Sequence, residues 1–153
     1  MPSKASKLKT SVLITVAALA AIWLNLDLTS SRTEPSSSSE LSADTRIIEK
    51  AFQEHKSDLL VEGTGTIVSI LKDDTVGSRH QRIIIELASG HSLLIAHNID
   101  LTNRVDEPRR GSKISFKGEY EWNERGGVIH WTHRDPDGDH PAGWLLYEGE
   151  KYW

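Results

Sequence analysis

The chain has 153 residues, seven histidines and no cysteine, with a formal net charge of −4. That length accommodates one domain with appendages, and the missing cysteine excludes disulfides, CxxC redox pairs, thiolate metal ligands and a cysteine nucleophile. Residues 1–43 carry about +1 and the remainder about −5, so the domain lacks the basic footprint of a general nucleic-acid binder.

Lys4, Lys7 and Lys9 precede an apolar run from Val12 to Leu24, after which Asn25 and Asp27 intrude. Positive charge followed by an apolar core is the grammar of an export signal, and it holds the N-terminus in the cytoplasm while the C-terminus crosses. Residues 1–28 are therefore expected to be a signal peptide or signal anchor, with residues 12–28 in the inner membrane and the domain in the periplasm. Ala18-Leu19-Ala20 has the small-x-small pattern of a cleavage site, which would free the domain into the periplasm. Retention is the preferred reading, with Trp23 near the outer interface, where indole is favoured. Residues 29–43 contain TSSRTEPSSSSELS, too poor in apolar surface to offset chain entropy, and read as a disordered linker.

The domain is expected over residues 44–153. Asp44 (or Ser42) can cap a helix from Asp44 to Lys56, whose stripe of Ile47, Ile48, Ala51 and Phe52 marks it as packing against something. Beyond Leu60 the apolar period changes to that of strands. Leu60–Leu71, Arg79–Ala88, His91–Asn98, Lys113–Trp122 and Val128–His133 read as strands, with turns at DDTVGS, Ser89-Gly90 and Asn123–Gly127. In Lys113–Trp122, Ile114, Phe116, Tyr120 and Trp122 alternate with polar residues, the pattern of a half-buried strand. Residues 99–110 have no strand pattern and could hold a short helix. The order predicts a mainly β fold, a five-stranded OB-like Greek-key barrel with a flanking N-terminal helix; another small barrel or roll is the alternative. Gly143–Trp153 reads as a C-terminal hairpin turning at Glu148-Gly149.

Seven of the ten aromatics fall between Tyr120 and Trp153, together with His130, His133 and His140. The plain structural reading is barrel filling; the functional one is a recognition surface for a flat ligand. His130-Trp131-Thr132-His133 suggests a metal, but residues three apart on a strand face opposite ways, so both could ligate one ion only if the strand ends near Thr132. Asp135, Asp137 and Asp139 imitate a calcium loop whose glycine falls at the wrong position and whose closing Glu is Leu146, which excludes an EF-hand. A looser divalent-metal site from His133, Asp135 and His140 stays open, as does one using His97 and His130. His97, Asn98 and Asp100 sit at a strand end, where Asn98 and Asp100 can serve as turn caps and His97 could meet His80. With Glu119, Glu121, His130 and Trp131, these residues make the candidate site, suited to holding a divalent metal or to acid–base work.

The strings DDTVGSRHQRIIIEL, LLIAHNIDL, GEYEWNERGGVIHWTHRDP and DHPAGW resemble a bacterial family known as domain of unknown function 3465. The likeness runs from Leu60 to Trp153, and its motif positions fall on His80, Gln81, His97, Asn98, Asp100, Glu119, Trp122, Asn123, His130, Trp131, His133, Asp135, Pro136 and Trp144. Thr102 and Asp139 depart from its usual residues. The resemblance implies no activity. A fainter likeness, of Lys72-Asp73-Asp74-Thr75 to the acidic turn of staphylococcal-type nucleases, suggests a phosphodiesterase. Two functions are therefore expected: an extracytoplasmic OB-type module binding an envelope component or partner protein, or a metal-dependent hydrolase.

Overall fold

The computed structural model describes residues 38–153. The expected export segment, its membrane contact and all but the end of the linker lie outside the described residues. Among the described residues no helix is long and apolar enough to cross a membrane.

Helix α1 spans Ser38–Gln53, so it starts earlier than the Asp44 cap suggests, and Asp44 lies inside it. Its buried stripe is narrower than expected: Ile48 and Ala51 are fully covered, whereas Ile47 is half exposed. The helix ends in a left-handed turn, with His55 at φ 53° and Lys56 N–H donating to the Ala51 carbonyl at 2.9 Å. That long return bond satisfies a carbonyl the helix would leave orphaned.

Seven strands follow: β1 Leu59–Ile70, β2 His80–Glu86, β3 Ser92–Asn98, β4 Lys113–Glu121, β5 Val128–His130, β6 Trp144–Tyr147 and β7 Glu150–Tyr152. The first five close on themselves in the order β1-β2-β3-β5-β4, with β4 returning to β1. All neighbours are antiparallel except β3 and β5, which run parallel. This is the five-stranded Greek-key barrel of the OB-fold, as the strand order predicts. A register shift between Ile67 and Ser69 lets the long β1 bend from one partner to the other, the usual work of a bulge at a barrel corner.

Alternation along each strand decides what fills the barrel. Ile83 and Ile85 of β2, Leu93 and Ile95 of β3, Ile114, Phe116 and Tyr120 of β4, and Ile129 of β5 are all sealed from solvent. Each such side chain contributes on the order of 1.5–3 kcal/mol of hydrophobic stabilisation. The β6–β7 hairpin adds Leu145, Tyr147 and Tyr152 to the same core. One edge of β4 is shared by two strands: β5 pairs with Glu119–Glu121 and β6 with Ile114–Lys117. Gly118 marks the changeover.

Two expectations are corrected. Residues 99–110 contain no helix; Gln81 holds the connection through two hydrogen bonds to the Val105 backbone. Strand β5 stops at His130 because Trp131 takes a left-handed conformation, φ 52°, which breaks the ladder and turns Thr132 and His133 inward to burial.

Candidate functional site

Strand β4 places Glu119 and Glu121 two residues apart, so both carboxylates project from the same outer face, flanking buried Tyr120. The register sets His130 of β5 directly opposite Glu119. His130 Nε2 lies 3.5 Å from Glu119 Oε1 and 3.8 Å from Glu121 Oε1. This nitrogen is shielded from solvent yet has no hydrogen-bond partner. One potential ligand atom from each of these three side chains lies within 4.8 Å of the other two.

The second oxygen of Glu119 is held by His140, whose Nε2 donates to Oε2 at 2.7 Å. His140 Nδ1 meets the Pro141 carbonyl at 2.9 Å. Both partners are acceptors, so the doubly protonated ring satisfies both. Burial opposes that charge, but the Glu119 and Pro141 hydrogen bonds and the Glu119 charge outweigh it, and the pKa of His140 stands above the ordinary imidazole value. Trp131 stacks on His140 with ring centroids 4.1 Å apart and planes 10° apart. The left-handed backbone at Trp131, costly for a bulky residue, is thus associated with an indole that clamps the imidazole.

His140 is carried by a loop organised around Asp135. One Asp135 carboxylate accepts backbone N–H bonds from Asp137, Asp139 and His140; these bonds, the His140 one foremost, hold its pKa below the usual carboxylate range. Asp135 therefore builds the loop. His133 is nearly buried and its Nδ1 donates to the Arg134 carbonyl at 2.8 Å.

His97 faces the other way, into the barrel. Its Nε2 donates to the Asn103 carbonyl at 3.1 Å, and its Nδ1 accepts from the Thr132 hydroxyl at 2.7 Å. That arrangement suits a neutral ring. Burial lowers its pKa to about 4, against the pull of the Asn103 carbonyl. The expected meeting of His97 with His80 is not made by the ladder: His97 pairs with Gln81, and His80 with Asn98. Adjacent positions on a strand point to opposite faces, and His80 Nδ1 instead donates to the Ser78 carbonyl at 2.8 Å.

Asn98 and Asp100 are turn builders. Asn98 Oδ1 accepts the Asp100 N–H at 3.0 Å, and Asp100 accepts the Arg79 backbone N–H and Nε, each at 2.7 Å. So the structure brings together Glu119, Glu121, His130, Trp131 and His140. His80, His97, Asn98 and Asp100 serve local bonds elsewhere, whereas Asp135 borders the group through the His140 N–H and His133 lies beside the Trp131 ring, centroids 5.4 Å apart.

A second feature escapes sequence reading. A groove of about 390 Å³ runs over the outer face of β2 and β3, lined among others by Leu71, Arg82, Ile84, Leu94, Asn123 and Arg125. Ile84 and Leu94 are cross-strand partners that form its apolar floor. The β4–β5 loop walls it, fixed by Leu94 N–H donating to the Gly127 carbonyl at 3.1 Å. Asn123 Oδ1 shapes that loop by accepting from Arg125 and Gly127 N–H. Arg82 is oriented by its Nε bond to the Lys72 carbonyl at 2.9 Å. Neither Arg82 nor Arg125 forms an ion pair among the described residues. The apolar run Ile83-Ile84-Ile85 hides this face in the sequence, because alternation cannot be seen where every residue is isoleucine.

No curated protein matches the chain. The model of one family, described as Protein of unknown function (DUF3465), matches residues 33–153. This span includes the whole barrel and both features just described, and the chain belongs to that family.

Proposed function

We propose that this protein is a membrane-tethered, extracytoplasmic binding module that uses the β2–β3 face of its barrel to hold an extended, acidic segment of an envelope partner. The groove there is the observation that carries the reading. It occupies the face and the β4–β5 loop on which OB barrels take extended ligands. Its apolar floor offers burial, and Arg82 and Arg125 offer two cationic donors to carboxylates on a domain that is otherwise acidic. Tethering rests on Lys4, Lys7 and Lys9 before residues 12–28, the signal-anchor pattern. Selection from a displayed library of linear peptides tests the ligand class. Wild type should enrich acidic sequences with interspersed apolar residues, and the double variant Arg82→Glu, Arg125→Glu should lose them. Equal enrichment by both proteins, or none by wild type, removes the reading. A phosphatase reporter fused after Trp153 should be active only if the domain is exported.

A metal-dependent hydrolase is the second reading, favoured by one observation: the convergence of Glu119, Glu121 and His130.

A further inference from the structure

We propose that Glu119, Glu121 and His130 form a mononuclear site for a zinc-class divalent cation, with His140 as the residue that orients Glu119. The site lies apart from the groove, and it stands whether or not the groove binds a partner.

The distances carry the argument. A charge-assisted hydrogen bond between imidazole and carboxylate closes to about 2.7–2.9 Å, as His140 and Glu119 do at 2.7 Å. His130 Nε2 stands off from the same carboxylate at 3.5 Å and from Glu121 at 3.8 Å. Ligands about 2.1 Å from a tetrahedral zinc are separated by about 3.4 Å. Both gaps are too long for direct bonding and near that of two atoms sharing one ion, and the three candidate ligand atoms all lie within 4.8 Å of one another.

The unsatisfied atom points the same way, although the His130 side chain as a whole is 34 % exposed. A buried nitrogen with no partner is costly, and His130 Nε2 is such an atom. A cation on its lone pair removes the deficit, with the ring proton on Nδ1. It also offsets the repulsion between two carboxylates on one strand face. Glu119 is already prepared for this: His140 occupies Oε2, leaving Oε1 toward the ion. Hydrogen bonding of a ligand carboxylate by an outer residue is the usual support of a metal site, and here Trp131 stacking fixes that outer residue in turn. Three protein ligands leave a fourth position for water or an incoming oxygen atom, the pattern of an open zinc centre.

The test uses detergent-solubilised full-length protein stripped with chelator. Titration with Zn²⁺ should show one ion per chain, and Co²⁺ should give the intense visible bands of tetrahedral coordination. Glu121→Gln and His130→Gln should each weaken binding at least tenfold. His140→Gln, removed from the ion by one residue, should weaken it by about tenfold, and His80→Gln should leave it unchanged. Because Glu121 is part exposed, Glu121→Gln serves as the decisive variant if His130→Gln folds poorly. Absence of Co²⁺ bands, or Zn²⁺ uptake indifferent to Glu121→Gln, overturns the proposal and leaves His130 a plain neighbour of the two carboxylates.

Discussion

Gln81 grips Val105 at two points: its Nε2 donates to the Val105 carbonyl at 3.0 Å, and its Oε1 accepts the Val105 N–H at 2.9 Å. Both residues are completely buried. The amide acts as one rung of a ladder, pinning the long connection between β3 and β4 without any secondary structure in it. Gln81→Leu keeps the volume but leaves two buried backbone groups unpaired, at about 1–3 kcal/mol each. Urea denaturation should show a loss of about 2–5 kcal/mol; a loss below about 1 kcal/mol would mean the connection is held by something else.

His97 makes stability depend on pH. Its folded pKa of about 4 lies below the ordinary 6.5, so between those values the unfolded chain binds more protons. Stability from this group is complete above about pH 6.5 and is lost as pH falls toward 4, a change of about 3 kcal/mol at most. Wild type compared with His97→Gln at pH 7 and pH 4.5 should isolate it: the variant loses the smaller amount on acidification. Equal losses would contradict a buried neutral ring.

Trp122 fastens the end of α1 to the barrel. Its indole N–H donates to the Phe52 carbonyl at 3.1 Å, its backbone N–H donates to the Ser57 hydroxyl at 3.0 Å, and its ring lies over His55 with centroids 4.2 Å apart. Trp122→Phe removes one donor and keeps most of the contact, so about 1 kcal/mol should be lost. Hydrogen exchange should quicken at the Glu54 and Lys56 amides and stay unchanged in β2 and β3.

Gly118 is required by close approach. A Cβ there would sit 2.3 Å from the His130 carbonyl oxygen, so Gly118→Ala must push β5 away from β4. A cost of about 3 kcal/mol is expected in thermal or urea unfolding. A variant as stable as wild type would show that β5 is free to shift.

Most of the barrel is legible in the sequence because closed-barrel strands alternate strongly. Ile114, Phe116 and Tyr120 could be assigned to the core on period alone, and their opposite numbers Glu119 and Glu121 to the outer face. What could not be read was register. Whether His130 meets Glu119 depends on how β5 seats against β4, and whether His97 meets His80 depends on a one-residue offset that sends them to opposite faces. An end of β5 near Thr132 is one of the sequence's open alternatives, but its cause is not legible, since nothing in Trp131 as a residue type announces a left-handed backbone. Gln81 looks like any polar residue at a strand start; only the fold reveals that its partner lies in the loop.

The sheet ends at β7, which is three residues long and contains Glu150 and Lys151. A short, charged border strand gives an arriving chain few backbone groups to copy and places like and unlike charges in its way. Closure of the first five strands removes the longer borders from reach. Together these leave the domain poorly suited to templating fibrils or recruiting a foreign strand.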